Sequence, residues 1–502
     1  MKKISYFGFA YTNSYQVGLK YYNSLYYLSL LLAFLSFILI PVTQNALLSF
    51  FINIFLAFSF KTKKITEIPA YFLLSLNSIL YIQIPVLFIL SKDINYNFEL
   101  HTLMPKDSLF YFTYSFSSIL IFFTSYLFLV CGLFIGNKIK LNSLKVSISH
   151  FNKSSTLNVI LILVLVASSI IYFDMSSSAL AKATEAEKKE NFFALLLNDK
   201  MMPILISMLL YRFRESKKVL KIFLFTVSIY MFLNLYGGSK GAILLIFIFF
   251  FLVPLSVLYN SGKKIIWPSN KLILLGFICA PVLYLLSLLY RSVSILAVNY
   301  EIVQVALGFS SLPLIYEGLK TFDYMTLIDL ILNRFSVSLN NYIIIFSEFF
   351  NFSDFSYRLE YLDYAYKGLI NLILPGTPFP DSYIPTSQLF NQVVNKEPLS
   401  SGLGRVSFLR QANTQPYSLF GFFTIISGPL SIFVSFIFGF MFSIVYKIID
   451  SDFLKALLIM SLFAFMQVYS IEGQIQFTLF LLVPAFMVYI IIRFFDRLKH
   501  LK

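Results

Sequence analysis

An all-α polytopic membrane protein is the fold class this sequence predicts. Three observations predict it. Hydrophobic residues make up 58% of the chain, against roughly 45–50% in soluble domains. Mean hydropathy is +0.78. Apolar runs near the length of a bilayer crossing recur from residue 25 to residue 492.

In chain order, about twelve transmembrane helices are expected. They cover residues 25–41, 46–60, 68–90, 108–135, 157–173, 201–213, 219–235, 241–259, 271–290, 421–446, 453–471 and 475–492. The second follows the first almost directly, and the sixth contains Pro203. Residues 1–24 are polar and Tyr-rich. No small-residue cleavage site follows the first apolar run, so a cleavable signal peptide is not expected. The chain therefore divides into residues 1–290 with spans one to nine, a large loop over 291–420, and residues 421–502 with the last spans and a basic tail.

The net charge of +15 would point to nucleic acid in a soluble protein. Here the enrichment of cytoplasmic loops in Lys and Arg accounts for it, and nucleic acid is not an expected partner. With the N-terminus in the cytoplasm, every short connection on that side is basic. Lys2, Lys3 and Lys20 come first, then Lys61, Lys63 and Lys64, then Lys138, Lys140, Lys145 and Lys153. Arg212, Arg214, Lys217, Lys218 and Lys221 follow, then Lys263, Lys264 and Lys271, then Lys447 and Lys455, and the tail from Arg493 to Lys502. Most acidic residues fall on the other side. Both termini are therefore expected in the cytoplasm and the 291–420 loop outside. Cys131 and Cys279 lie inside apolar spans, with neither metal-ligand spacing nor the setting of a disulfide.

The large loop is too polar to be a turn, and from Pro375 to Gly421 it is rich in Pro, Gly, Ser, Asn and Gln. Loops this long usually act as lids or binding segments. Within it, Ile295–Tyr316 and Tyr324–Phe350 are apolar runs interrupted by polar residues. They read equally well as helices lying in the membrane plane and as a re-entrant pair.

Cations carry the sharper signal. Lys240 stands in the turn Tyr236-Gly237-Gly238-Ser239-Lys240-Gly241, Arg291 ends span nine, Arg334 interrupts an apolar helix, and Arg405 and Arg410 precede span ten. A basic residue at a span end is ordinarily a snorkelling anchor, which is the plain reading of Arg291. Lys240, Arg405 and Arg410 sit among Gly, Ser, Asn and Gln instead. Guanidinium groups bind phosphate oxygens two at a time, and a Gly-rich turn offers free backbone N–H donors. Such a set at the outer interface suits a lipid pyrophosphate. Arg358 is expected to pair locally with Glu360 or Asp363. His101, His150 and His500 are scattered, and Asp450-Ser451-Asp452 reads as a solvated turn, so neither a metal nor a cofactor is expected. The connection Val42–Asn45 has no acid, which argues against transferases that use a catalytic acid there with a monosaccharide–lipid donor.

The turn Gly238-Ser239-Lys240-Gly241, the late outward loop, and the spacing of Arg410 and Gly421 with Gly428 and Gly439 beyond resemble the bacterial O-antigen polymerases. These are the Wzy class of oligosaccharide repeat-unit polymerases, and the O-antigen ligases are more distant. The resemblance covers about residues 220–445. Ligases of this type place a His in the outer loop, and residues 291–420 contain none, which favours polymerase. The resemblance implies a metal-independent glycosyltransferase of the GT-C-like membrane type in the bacterial inner membrane, acting in O-antigen and lipopolysaccharide biosynthesis. The growing glycan on undecaprenyl pyrophosphate would pass to a sugar hydroxyl of a new repeat unit on a second carrier. Lys240, Arg291, Arg334, Arg405 and Arg410 would hold the pyrophosphate and stabilise its departure. Asp381 or Glu397 would take the hydroxyl proton. Further partners would be the bilayer, a chain-length regulator and a flippase. The competing reading is a flippase for the same lipid-linked glycan. That reading expects short outer loops and charges within the spans, the reverse of this pattern.

Overall fold

The computed structural model describes residues 5–6, 9–92, 108–139, 252–262, 264–268, 271, 324–351, 354–373, 378–379, 389–397, 399, 417–449, 455–456, 458–459 and 462, apart from single residues within some ranges. The expected spans 157–173, 201–213, 219–235 and 475–492, most of 241–259, 271–290 and 453–471, and the segment Ile295–Tyr316 lie outside these residues. Two compact units are present. One comprises Met1–Val17, Ile148–Ile328 and Phe480–Lys502, and the other Gly18–Ser147 and Asp329–Leu479.

In the first unit the described residues include a small antiparallel sheet, set in a structure that is mostly helical, in line with the all-α expectation. Strands β1 (Ser5–Tyr6), β2 (Phe9–Asn13) and β3 (Lys264–Pro268) pair in the order β1-β2-β3. Phe9 lies opposite Pro268 and Asn13 opposite Lys264. Ile265, Ile266 and Trp267 are strand-favouring residues, and Pro268, which lacks an N–H, sits at the end of the ladder. A short 3₁₀ turn, Tyr259–Ser261, leads into β3 through Gly262 at φ 60°.

Helix α1 (Ser14–Leu39) starts well before the apolar run that announced it. The reason is a cap. Asn13 Oδ1 accepts the N–H of Tyr15 at 2.9 Å, so the polar stretch from Ser14 onward is already helical. At 26 residues the helix is about 39 Å long, more than the roughly 30 Å hydrocarbon core requires.

The second unit is a helical bundle. Helix α2 (Thr43–Lys61) returns directly beside α1. Ser36 and Ser49 share a hydroxyl–hydroxyl hydrogen bond of 2.8 Å between them. A short α3 (Lys63–Thr66) precedes the third span, Tyr71–Ser91, which is not one regular helix. Its halves α4 (Tyr71–Ser78) and α5 (Ile84–Ser91) flank a π-helical turn at Ile79–Gln83. Pro85 has no N–H for the carbonyl four residues back, and one wider turn absorbs the gap.

Helix α6 (Ser108–Lys138) is matched late in the chain by α11 (Ser431–Ile448). Their backbones nearly touch. A Cβ on Gly132 would collide with the Phe436 carbonyl and lie 2.8 Å from Phe440 N. A Cβ on Gly136 would lie 2.8 Å from Phe440 O, and one on Gly439 would collide with the Leu129 carbonyl. Ser435 and Ser443, each four residues from Gly439, are buried beside it. Small residues every fourth position let apolar helices gain close van der Waals contact where lipid offers no hydrophobic drive between them. The order of contacts makes the helices parallel. Gly132 meets Phe436, Gly136 meets Ser443, and Lys447 Nζ donates to the carbonyls of Asn137 and Ile139.

Among the described residues, five helical segments are long and apolar enough to cross a membrane: Ser14–Leu39, Thr43–Lys61, Tyr71–Ser91, Leu109–Lys138 and Ser418–Ile448. They correspond to the first four expected spans and the tenth. The tenth is broken. Helix α10 (Ser418–Ser427) ends at Gly428, and a 3₁₀ turn, Gly428–Leu430, starts α11 in a new direction. Gly428 has φ 52° and ψ −124°, a conformation that a side chain would oppose.

Candidate functional site

The described part of the large loop is a cluster of helices meeting the start of this broken span. Helix α7 (Tyr324–Phe349) matches the run expected at Tyr324–Phe350. Its residues 336–346 are all buried. Phe122, near the middle of α6, meets Tyr342 of α7 at 4.8 Å and Phe420 of α10 at 5.0 Å between ring centres. Helix α8 (Phe355–Ile373) follows, then the short α9 (Phe390–Asn395).

Arg358 holds this cluster together. It is 3% exposed and is the one buried charged side chain among the described residues. Its Nη1 donates to Thr424 O at 3.0 Å and Ile425 O at 2.5 Å, and its Nη2 to Phe349 O at 2.5 Å and Asn351 O at 2.6 Å. Those carbonyls belong to the ends of α10 and α7, where the last turn of a helix leaves acceptors without N–H partners and the dipole is negative. One guanidinium fork thus satisfies two helix ends. Burial pushes its pKa down, and the Asp354 carboxylate opposes the shift. The expected local pairing of Arg358 is incorrect. Glu360 instead accepts the Leu399 N–H at 3.1 Å, and Asp363 pairs with Lys367 at 2.5 Å. Sequence windows search for nearby opposite charge, whereas these acceptors are backbone atoms up to 67 residues away.

Around Arg358 the backbone is strained. Asp354, Lys396 and Ser418 are the described non-glycine residues with positive φ. Asp354 and Lys396 bond to each other, with Nζ to Oδ2 at 2.5 Å. Lys396 ends α9 in the left-handed conformation, and the Glu397 N–H returns to Gln392 O at 2.9 Å. This closure normally uses Gly at the left-handed position. The ion pair compensates for the strain, and Lys396 Nζ also lies 5.5 Å from the Phe349 ring. Tyr357 OH donates to Gln392 O at 3.2 Å. Burial pushes the Tyr357 phenol up, and the carboxylates of Glu360 and Glu397 push it further. Glu397 is therefore an exposed carboxylate near the Tyr357 phenol. The group is chemically able to accept a proton or to receive a hydroxyl. Among the described residues no three His, Cys, Asp or Glu side chains converge as metal ligands.

Adjacent residues of α8 also hold two residues late in the large loop: Glu360 accepts the Leu399 N–H, and the hydroxyls of Tyr361 and Tyr417 hydrogen-bond at 2.9 Å.

Of the expected site residues, Glu397 is part of this cluster and Arg334 lies on α7. Lys240, Arg291, Asp381, Arg405 and Arg410 lie outside the described residues. Sequence reasoning missed the role of Arg358. Its signal was the stripe Tyr357, Tyr361, Tyr364 at helical spacing, which marks a buried face with an Arg upon it. Comparison with protein-family models, curated proteins and solved structures finds no match to this chain.

Proposed function

We propose that this protein polymerises lipid-linked oligosaccharide repeat units in the bacterial inner membrane, as the resemblance to O-antigen polymerases implies. In the step proposed, the acceptor sugar hydroxyl bonds to the anomeric carbon of the donor glycan. The bond from that carbon to the pyrophosphate oxygen breaks, and undecaprenyl pyrophosphate leaves with the electron pair. The hydroxyl proton passes to Glu397 or Asp381. Lys240, Arg291, Arg334, Arg405 and Arg410 meet the charge that develops on the leaving group.

The observation that carries this reading is the exposed carboxylate of Glu397, an expected proton acceptor, beside the Tyr357 phenol in the helix cluster that packs on the tenth span. The proposed sidedness has support too. Parallel packing of α6 and α11 requires an odd number of crossings between them, and five are expected. The pairing of β2 with β3 holds the N-terminus and residues 264–268 on one side, both expected in the cytoplasm. The flippase reading gains nothing here, since the buried polar side chains of the described spans are Ser, Thr, Asn, Gln and Tyr.

The test is the surface polysaccharide after gene deletion. Single repeat units on the lipid core are expected. Complete loss of the polysaccharide would instead indicate a flippase or ligase.

A further inference from the structure

Helix α8 has three faces, and the bundle uses only one. Tyr357, Arg358, Tyr361, Tyr364 and Ala365 are buried. Ser356, Glu360 and Asp363 form an exposed polar face, with the Asp363–Lys367 ion pair along it. Between polar face and core runs a third stripe, made of Phe355 at 69% exposed, Leu359 at 52%, Leu362 at 38% and Tyr366 at 62%. Their spacing of four, three and four residues puts them on one line of the helix. None of the apolar segments able to cross a membrane includes α8.

We infer that this stripe lies in the bilayer interface, so that α8 is an in-plane helix resting in lipid. Two observations select lipid as the occupant. First, the stripe lies on a helix anchored beside a second exposed apolar line, on a segment long and apolar enough to cross a membrane. Arg358 pins α8 to Gly428, where a Cβ would lie 3.4 Å from Nη2. Two residues later begins the exposed apolar line of α11: Leu430, Phe433, Ile437, Met441 and Val445. Second, the stripe is too small for a stable dimer. Its side chains expose on the order of 400 Å² per copy, so a symmetric contact would bury about 800 Å², short of the ~1,200 Å² of stable interfaces. An interfacial helix needs an apolar face a few ångströms deep beside a polar face, which is this arrangement. The polar face carries Glu360 and Asp363 and so adds no attraction to anionic lipid. The Arg358 anchor and apolar burial hold the helix in place.

The test is collision accessibility of nitroxide labels on the full chain in lipid nanodiscs. Cys131→Ser and Cys279→Ala remove the native thiols. Single cysteines then replace Leu359, Leu362, Tyr366, Glu360 or Asp363, all on exposed faces, and thermal unfolding checks each variant. The expected result is a periodic pattern. Labels at 359, 362 and 366 collide readily with oxygen and poorly with a nickel chelate, and labels at 360 and 363 do the reverse. Chelate access equal at all sites would overturn the inference, as would spin–spin broadening at 359 and 362 from a second copy. If one variant fails to fold, the remaining stripe positions decide the outcome. The measurement does not depend on the proposed activity.

Discussion

Two contacts hold the described bundle by opposite means. Where α6 meets α11, side chains are removed until backbones touch. Where α7, α8 and α10 meet, a single long charged side chain is inserted between backbones. The first contact joins regular helices whose carbonyls are all satisfied internally, so close approach alone suffices. The second joins helix ends whose last carbonyls are largely buried, where leaving them unsatisfied is costly. Arg358 supplies donors in a rigid fork that suits such an array. The first contact tolerates no added volume and the second no lost polarity.

That contrast sets the order of substitution effects. Arg358→Ala strands three buried carbonyls and a part-buried one and should cost the most, about 4 kcal/mol. Arg358→Lys should recover only part of this, because an ammonium cannot span both helix ends. Thermal unfolding in detergent reads both. Gly439→Val drives a side chain into the Leu129 carbonyl and should cost about 3 kcal/mol. If it is tolerated, α6 and α11 do not approach as closely as described. Tyr361→Phe removes one hydroxyl pair with Tyr417 and should cost about 1 kcal/mol. The smallest effect belongs to Lys396→Gly. It relieves a left-handed backbone worth about 1 kcal/mol and removes a half-exposed ion pair worth at most a similar amount. Its stability should stay close to the parent's, and a large loss would mean that the ion pair does more than offset strain.

Much of this was legible in residues. Bilayer-length apolar runs placed α2, the third span, α6 and the tenth span within a few residues of their observed ends, and α7 almost to the residue. Hydropathy reports the membrane crossing, not the helix, so it missed the capped start of α1 at Ser14. It also passed over Pro85 and Gly428, because a π turn or a break leaves an apolar run just as apolar. Gly428 was read as one of a series of spaced glycines, yet it ends one helix while Gly439 admits another. The Gly132 and Gly136 pair was visible in the sequence, but its partner surface lies some three hundred residues later. Arg358 was hidden for a different reason, since backbone carbonyls leave no mark in a sequence. The pairing of Asp354 with Lys396 was not legible either, because it depends on strained backbone.

The most direct measurement compares Arg410→Ala with Arg358→Ala, scoring both folded protein in the membrane and the chain-length distribution of surface polysaccharide. If Arg410 serves the leaving pyrophosphate and Arg358 serves the fold, the two variants fail differently. Arg410→Ala should reach parental levels and unfold at the parental temperature, yet leave single repeat units with little or no polymer. Arg358→Ala should lose polymer in proportion to its loss of folded protein. A normal polysaccharide ladder from Arg410→Ala at parental protein levels would contradict the account.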